Sequence, residues 1–272
     1  HSEMEVFRFS KFVQSLKFSR MSYVTDFEDV KTLANEIADG RRKKRALRNI
    51  SLLLEGRRLK SNPSVEVFVK SNELIPLKEG VMIPRIIVNV DPLYNLIMQP
   101  AAHVLSDFVG RMSLIGNVTV HYVKNFSAIE LSNWVNQFLS SSFSKHMILA
   151  LGDDMLLFIK TRDGCVCVES DYSMFDQSQG RHLQLIIRRL LHRCGMCPSF
   201  MNLWEKLIFS DYFKFTTLVG GRRVRWNGKK RVMQLTGICT TSVLNSLLTI
   251  LVGLFCIENG QDEHLRYSKL MS

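Results

Sequence analysis

Four of the carboxylates in the stretch LGDDMLLFIKTRDGCVCVESDYSMFD fall in two tight groups: Asp153 and Asp154 directly after Gly152, then Asp171 and Asp176 after an apolar run. The runs MLLFIK and CVCVES flank TRDG, a tight-turn sequence, and are expected to pair as an antiparallel hairpin. With Arg162 and Asp163 as the loop, Thr161 faces Gly164 and Asp154 comes opposite Asp171. A loop centred on Asp163 and Gly164 shifts the register by two residues and leaves the acids within reach. Like charges on neighbouring strands repel unless something positive sits between them. A divalent cation does this, and paired carboxylates beside a basic surface suit two-metal phosphoryl transfer. Taken alone, Gly-Asp-Asp reads better as a solvated turn.

The elements that must position these acids follow from periodicity. TDFEDVKTLANEIADG is expected to be a helix with Thr25 and Glu28 as a capping box and Gly40 as its stop. A second, basic helix follows as far as KSNPS, a break taken as an N-terminal boundary. VEVFVK and PRIIVNV read as extended runs, and helical periodicity resumes between Pro100 and Gly110 and in AIELSNWVNQFL. Leu183, Ile186, Ile187, Leu190 and Leu191 form one helical stripe ended by Gly195 and Pro198. RRVRWNGKKRV is expected to be a hairpin turning at Asn227-Gly228, which suits a type I′ turn. Cys165 and Cys167 alternate along a strand and are expected to face the core together. The segment TGICTTSVLNSLLTILVGLFCIENG reads as a long, buried, mostly apolar helix, its apolar run too short for a bilayer span.

Two further patterns accompany the acids. ESDYSMFDQS holds Asp171 and Asp176 as Asp-x4-Asp at a strand end, and LTGICTTSVLN spaces Gly237, Thr241 and Asn245 by four at a helix start. Together with Gly152-Asp153-Asp154 these resemble the palm motifs A, B and C of viral RNA-dependent RNA polymerases. The order here is C (152–154), A (171–176), B (237–245), similar to the permuted palms of permutotetraviruses and birnaviruses, with the Gly-Asp-Asp form nearer the former. The resemblance implies an α+β right-hand polymerase core with fingers and an antiparallel palm sheet backed by helices. It implies that Asp171 and Asp153 bind two Mg²⁺ or Mn²⁺ ions, with Asp154 assisting. Asp176 and Asn245, with Thr241, would read the ribose 2′-hydroxyl, and Gly237 would let the loop before the motif B helix flex. Read without the resemblance, Asp176 is a helix N-cap and Asn245 a satisfied buried amide. Upstream, VFVKSNELIPLKEGVMIPRIIVNVDP resembles the fingers motif F, which would line the nucleotide tunnel with Lys70, Lys78 and Arg85 as nucleotide-binding residues and set Arg85 on the triphosphate.

Charge agrees with a polyanionic partner: 36 Lys and Arg against 25 Asp and Glu in 272 residues give +11. The basic runs GRRKKRALR, GRRLK and GRRVRWNGKKR are dispersed, favouring an extended nucleic-acid track over a membrane patch, with merely solvated faces as the equal alternative. Six cysteines in so long a chain do not read as a secreted disulfide framework, and a reducing compartment is expected. His192, Cys194 and Cys197 have zinc-compatible spacing but no second pair to complete the site. The start, HSEMEVFRFS, shows no signal-peptide pattern and reads as a fragment or a processed product. The expected division is an N-terminal basic segment (1–62), fingers (63–145) and a permuted palm (146–272) with a fingers-type insertion near 196–233, the thumb lying largely outside the chain. Implied partners are RNA template and product, nucleoside triphosphates and other viral replication proteins, in the host-cell cytoplasm and with no transmembrane segment. The rival expectations are a catalytically inactive RNA-binding module and a reverse-transcriptase or DNA-polymerase palm.

Overall fold

The computed structural model describes residues 3–21, 27–56, 64–76, 82–124, 126–170, 175–210 and 212–259. In chain order the elements begin with α1 (Glu3–Ser15), α2 (Phe27–Glu36), α3 (Gly40–Leu54), β1 (Ser64–Pro76), β2 (Met82–Val90) and α4 (Pro92–Gly110). There follow β3 (Leu114–Ile115), β4 (Val118–Tyr122), α5 (Ala128–Ser140), β5 (His146–Leu151), β6 (Asp154–Thr161) and β7 (Gly164–Ser170). The last are α6 (Phe175–Ser178), α7 (Arg181–Arg193), α8 (Pro198–Phe209), β8 (Tyr212–Val219), β9 (Arg222–Lys229) and α9 (Thr241–Glu258). The chain divides into two compact units, one of residues 1–21, 103–194 and 242–272, the other of 22–102 and 195–241. These boundaries cut the chain elsewhere than at 62/63 and 145/146.

The first unit is built on a five-stranded sheet in the order β3-β4-β5-β6-β7, antiparallel except for the parallel pair β4–β5. Alternation along the strands sends successive side chains to opposite faces. Met147 and Leu149 pack with Phe138 of α5, whereas Ile148 and Met155 meet α9 at Gly253. The glycine is a close approach: a Cβ there would lie 2.9 Å from Ile148 Cδ1 and Met155 Sδ. On α7 the five expected stripe residues are all buried, and Gly195 follows at φ +84°. The Arg193 guanidinium joins α7 to α1 by donating to the carbonyls of Val13 (2.7 Å) and Gln14 (2.6 Å). The α9 helix is apolar and long enough to cross a bilayer, yet 83% of it is buried inside the fold, as in a core helix.

The second unit holds a four-stranded sheet, β2-β1-β8-β9, in which β1 and β8 run parallel. The segment expected as an insertion therefore supplies two strands of the sheet that β1 and β2 begin. Helices α2 and α3 close over Val30, Ala34, Ala46 and Ile50, with Leu96 of α4.

Several expectations are corrected. The β8–β9 hairpin turns at Gly220-Gly221, both at positive φ (+54° and +76°), as a type I′ turn requires, whereas Asn227 and Gly228 lie inside β9. Gly228 is there because the Phe215 ring sits 2.7 Å from where its Cβ would be. Gly40 opens α3, behind Asp39, whose carboxylate accepts from the N–H groups of Arg41 and Arg42; α2 ends earlier, at Glu36. Helix α4 starts at Pro92, suited to a first helical position, and continues through Pro100. Cys165 and Cys167 are exposed, since β7 has a neighbouring strand on one side only among the described residues. Thr25 of the expected capping box lies outside the described residues.

Candidate active site

The turn that carries Asp153 is a two-residue hairpin loop. Leu151 pairs with Asp154, leaving Gly152 and Asp153 as the loop, and Gly152 takes φ +65°, the left-handed conformation that a two-residue loop needs. Both backbone polar groups of Gly152 are tied to α9. Its N–H donates to Ser246 Oγ at 2.6 Å, and its carbonyl accepts from Thr249 Oγ1 at 3.1 Å. Ser246 passes its own proton to the Ser242 carbonyl at 3.0 Å. Ser246 and Thr249 are fully buried, so water cannot replace either bond. Asp153 is half-buried and Asp154 exposed at the sheet end.

Directly before Ser246 on the same helix stands Asn245, whose Nδ2 donates to Asp176 Oδ1 at 2.7 Å. Its Oδ1 accepts from Gln179 Nε2 at 2.8 Å, and Gln179 Oε1 accepts in turn from Gln184 Nε2 at 3.1 Å. Asp176 lies in the short helix α6 and is half-buried; the position before α7 is filled by Gly180, so Asp176 does not cap that helix. Asn245 is both a satisfied buried amide and a direct partner of Asp176.

The hairpin register follows the first of the two expected alternatives. Thr161 pairs with Gly164, and the ladder runs back to Met155↔Ser170. Asp171 and Lys78 lie outside the described residues; Lys70 and Arg85 sit on β1 and β2, with side chains also outside the description. Gly237 and Thr241 belong to the second unit. A Cβ on Gly237 would stand 2.4 Å from the Val88 carbonyl oxygen and 2.7 Å from Asn89 Cα, so the need for glycine there is steric. Its N–H donates to Val88 O at 2.9 Å and its carbonyl accepts from Asn95 Nδ2 at 2.8 Å. Thr241 Oγ1 donates to the Leu235 carbonyl at 2.6 Å.

The second unit also carries a cleft of about 650 Å³ lined by Lys214, Arg223, Arg225, Asn89 and Asn227, with Glu66 among them. Cross-strand pairing of Lys214 with Asn227 and Thr216 with Arg225 puts these side chains on one face. Nearby, Trp226 stacks on Phe215 at 5.5 Å while staying 43% exposed.

Residues 142–266, just under half of the chain, match the family model described as RNA dependent RNA polymerase. That span contains Gly152–Asp154, Asp176 and the Asn245 segment of α9. The match indicates an RNA-dependent RNA polymerase, a nucleotidyltransferase. No curated protein matches the chain. For an RNA-dependent RNA polymerase the implied partners are RNA and nucleoside triphosphates, and such enzymes normally use divalent metals. Among the described residues, to which Asp171 does not belong, no cluster of three His, Cys, Asp or Glu could hold a metal. The carboxylates of Asp153 and Asp154 are hard oxygen donors of the kind Mg²⁺ and Mn²⁺ prefer. Cys194 is buried, and its thiol is pushed up to about 11 by desolvation. Ser246, Thr249, Gln179 and Gln184 were not foreseen. For Ser246 and Thr249 the signal was present as a polar stripe, Ser242, Asn245, Ser246 and Thr249, along an otherwise apolar helix; the two glutamines carried none.

Proposed function

We propose that the chain catalyses template-directed RNA synthesis in viral genome replication, joining an RNA 3′-hydroxyl to the α-phosphate of a ribonucleoside triphosphate with release of pyrophosphate. One observation carries the reading: a single buried helix, α9, holds Asn245 on Asp176 and, one and four residues later, holds Gly152 of the Gly-Asp-Asp turn through Ser246 and Thr249. Binding by one rigid element keeps the two acidic groups in fixed relation, which alignment of reacting phosphates requires.

The permuted order C, A, B is supported by consecutive antiparallel strands β5, β6 and β7, so a tight turn at Arg162-Asp163 suffices to connect motif C to motif A. One further step of the register beyond Met155↔Ser170 would set Asp171 opposite Asp154. Asp153, Asp154 and Asp171 would then hold Mg²⁺ or Mn²⁺, which supplies charge neutralisation and activation of the hydroxyl when bound. Asp176 and Asn245 present a polar pair to the ribose. Lys214, Arg223 and Arg225 form no ion pair among the described residues and offer charge to RNA phosphates. The place of action is the cytoplasmic replication complex, with other viral replication proteins as partners.

The test is primer extension on an RNA template with Mn²⁺. Asp171→Ala should abolish ribonucleotide addition and leave RNA affinity within twofold. Arg223→Glu with Arg225→Glu should do the reverse, weakening RNA binding and lowering the salt slope by about 1.4, since each phosphate contact on a single strand contributes about 0.7. Wild-type incorporation by Asp171→Ala, or a preference for deoxynucleotides, would overturn the assignment.

A further inference from the structure

We propose that Gln179 and Gln184 are positioning residues that set which sugar the polymerase accepts, by fixing the amide of Asn245; this rests on the reading of Asp176 and Asn245 as the ribose contact. An asparagine side chain has a donor end and an acceptor end of nearly the same shape, and only its surroundings decide which way it points. Here the hydrogen bonds all run in one direction, from Gln184 Nε2 to Gln179 Oε1, from Gln179 Nε2 to Asn245 Oδ1, and from Asn245 Nδ2 to Asp176 Oδ1. Turning Asn245 over would set two N–H groups against each other at Gln179 and two oxygens against each other at Asp176. Gln179 and Gln184 are 1% exposed and Asn245 5%, so water cannot rescue the reversed arrangement. The carboxylate of Asp176 is thereby met by an N–H and held at a constant position in its half-exposed site.

Gln184 marks the relay as more than packing. It lies beside Leu183, Ile186 and Ile187 on the buried face of α7, and its Oε1 has no hydrogen-bond partner among the described residues. A buried acceptor left unsatisfied is unfavourable, and an apolar residue at this position would avoid it. An apolar residue would instead leave Gln179 Oε1 unpaired, so Gln184 brings little net stability, and what it adds is the N–H bond that orients Gln179. A site that hydrogen-bonds a substrate hydroxyl rejects the analogue lacking it far more strongly than an apolar pocket can, so small errors in aim show first in sugar selection.

The experiment measures kcat and KM separately for a ribonucleotide and its 2′-deoxy counterpart, on the full chain or a longer form that polymerises, with a thermal melt for every variant. Gln179→Glu removes the donor that Asn245 Oδ1 needs and should turn the amide over. The ratio of kcat/KM values, ribo over deoxy, should fall about tenfold, the effect of roughly one hydrogen bond. The loss should appear as a raised KM for the ribonucleotide, with the rate at saturating deoxynucleotide unchanged. Gln184→Leu exchanges one unsatisfied buried acceptor for another and should also lower the ratio while melting within about 4 °C of the wild type, a combination that general loosening of the fold would not produce. Gln184→Leu carries the test alone if Gln179→Glu fails to fold. Asn245→Leu is the control. If it lowers the ratio and both glutamine variants stay within twofold of wild type, the relay is refuted and the ribose contact stands. If Asn245→Leu also leaves the ratio unchanged, the ribose reading itself fails.

Discussion

Ser246→Ala removes one oxygen from the helix that holds the Gly-Asp-Asp turn, and the structure allows its effect to be worked out. The Oγ accepts the Gly152 N–H at 2.6 Å and is fully buried. Alanine leaves that N–H facing a methyl group where no water enters, and an orphaned buried donor costs about 1–3 kcal/mol. Loss of Ser246's bond to the Ser242 carbonyl matters less, since that carbonyl belongs to the helix ladder. Taking about 2 kcal/mol, and about 2–4 °C per kcal/mol for a protein of this size, the melting temperature should fall by roughly 4–8 °C. Thr249→Val keeps the side-chain shape and deprives the Gly152 carbonyl of its donor, at 3.1 Å, with a cost of similar order. Because both act on one turn, the double variant should lose less than the sum, with a coupling of about 0.5 kcal/mol or more. Calorimetry of the four proteins gives this cycle. In primer extension the turn's loss of anchorage should lower kcat by about tenfold with the nucleotide KM within twofold, since a misplacement near 1 Å is enough to cost that much. A Ser246→Ala protein that melts within 1 °C of wild type and incorporates nucleotides at the wild-type rate would refute the idea that α9 fixes the turn.

Gly237→Ala should prevent folding of the second unit or cost at least about 3 kcal/mol, because its Cβ meets backbone at 2.4 and 2.7 Å and breaks the bonds to Val88 and Asn95. Gly253→Ala meets only the ends of Ile148 and Met155, at 2.9 Å, and should cost about 1 kcal/mol, so comparison of their melts tests whether backbone or side-chain contact decides. His121 stacks on Trp134 at 4.1 Å, and burial holds its pKa below 6.5. The folded state thus prefers the neutral ring: stability is complete above pH 6.5 and falls as the pH drops below it toward the lowered folded-state pKa. His121→Gln should flatten that slope in melts taken between pH 7 and 5, and an unchanged slope would assign the acid sensitivity elsewhere.

What could be read in the residues was local and periodic. The α7 stripe was legible because five large apolar side chains recur at helical spacing, and burial of each is the simplest way to satisfy them. The β6–β7 register was legible because TRDG leaves few ways to turn. The same logic misplaced the next hairpin. Asn227-Gly228 has the right residues for a tight turn, but Gly220-Gly221 lies a strand's length earlier and also supplies two positive-φ positions, and the Phe215 ring gives Gly228 another reason to be glycine. Alternation placed Cys165 and Cys167 on one face but could not tell whether anything covers that face.

The site divides along the same line. Residue types and spacing singled out Asp153, Asp176 and Asn245, since each is unusual where it stands. Their supports are ordinary Ser, Thr and Gln residues whose meaning comes from partners 66 to 97 positions away in sequence. A hydroxyl on an apolar helix can bond its own backbone one turn back, as Ser246 does, and nothing local announces a second partner. The polar stripe on α9 therefore carries more information than any one of its members. Three buried polar residues on one side of this helix, Asn245, Ser246 and Thr249, must each find a partner or destabilise the fold. Here Ser246 and Thr249 meet the backbone of Gly152 and Asn245 meets the side chain of Asp176. Both acidic segments lean on this one helix, in whichever order the chain visits them.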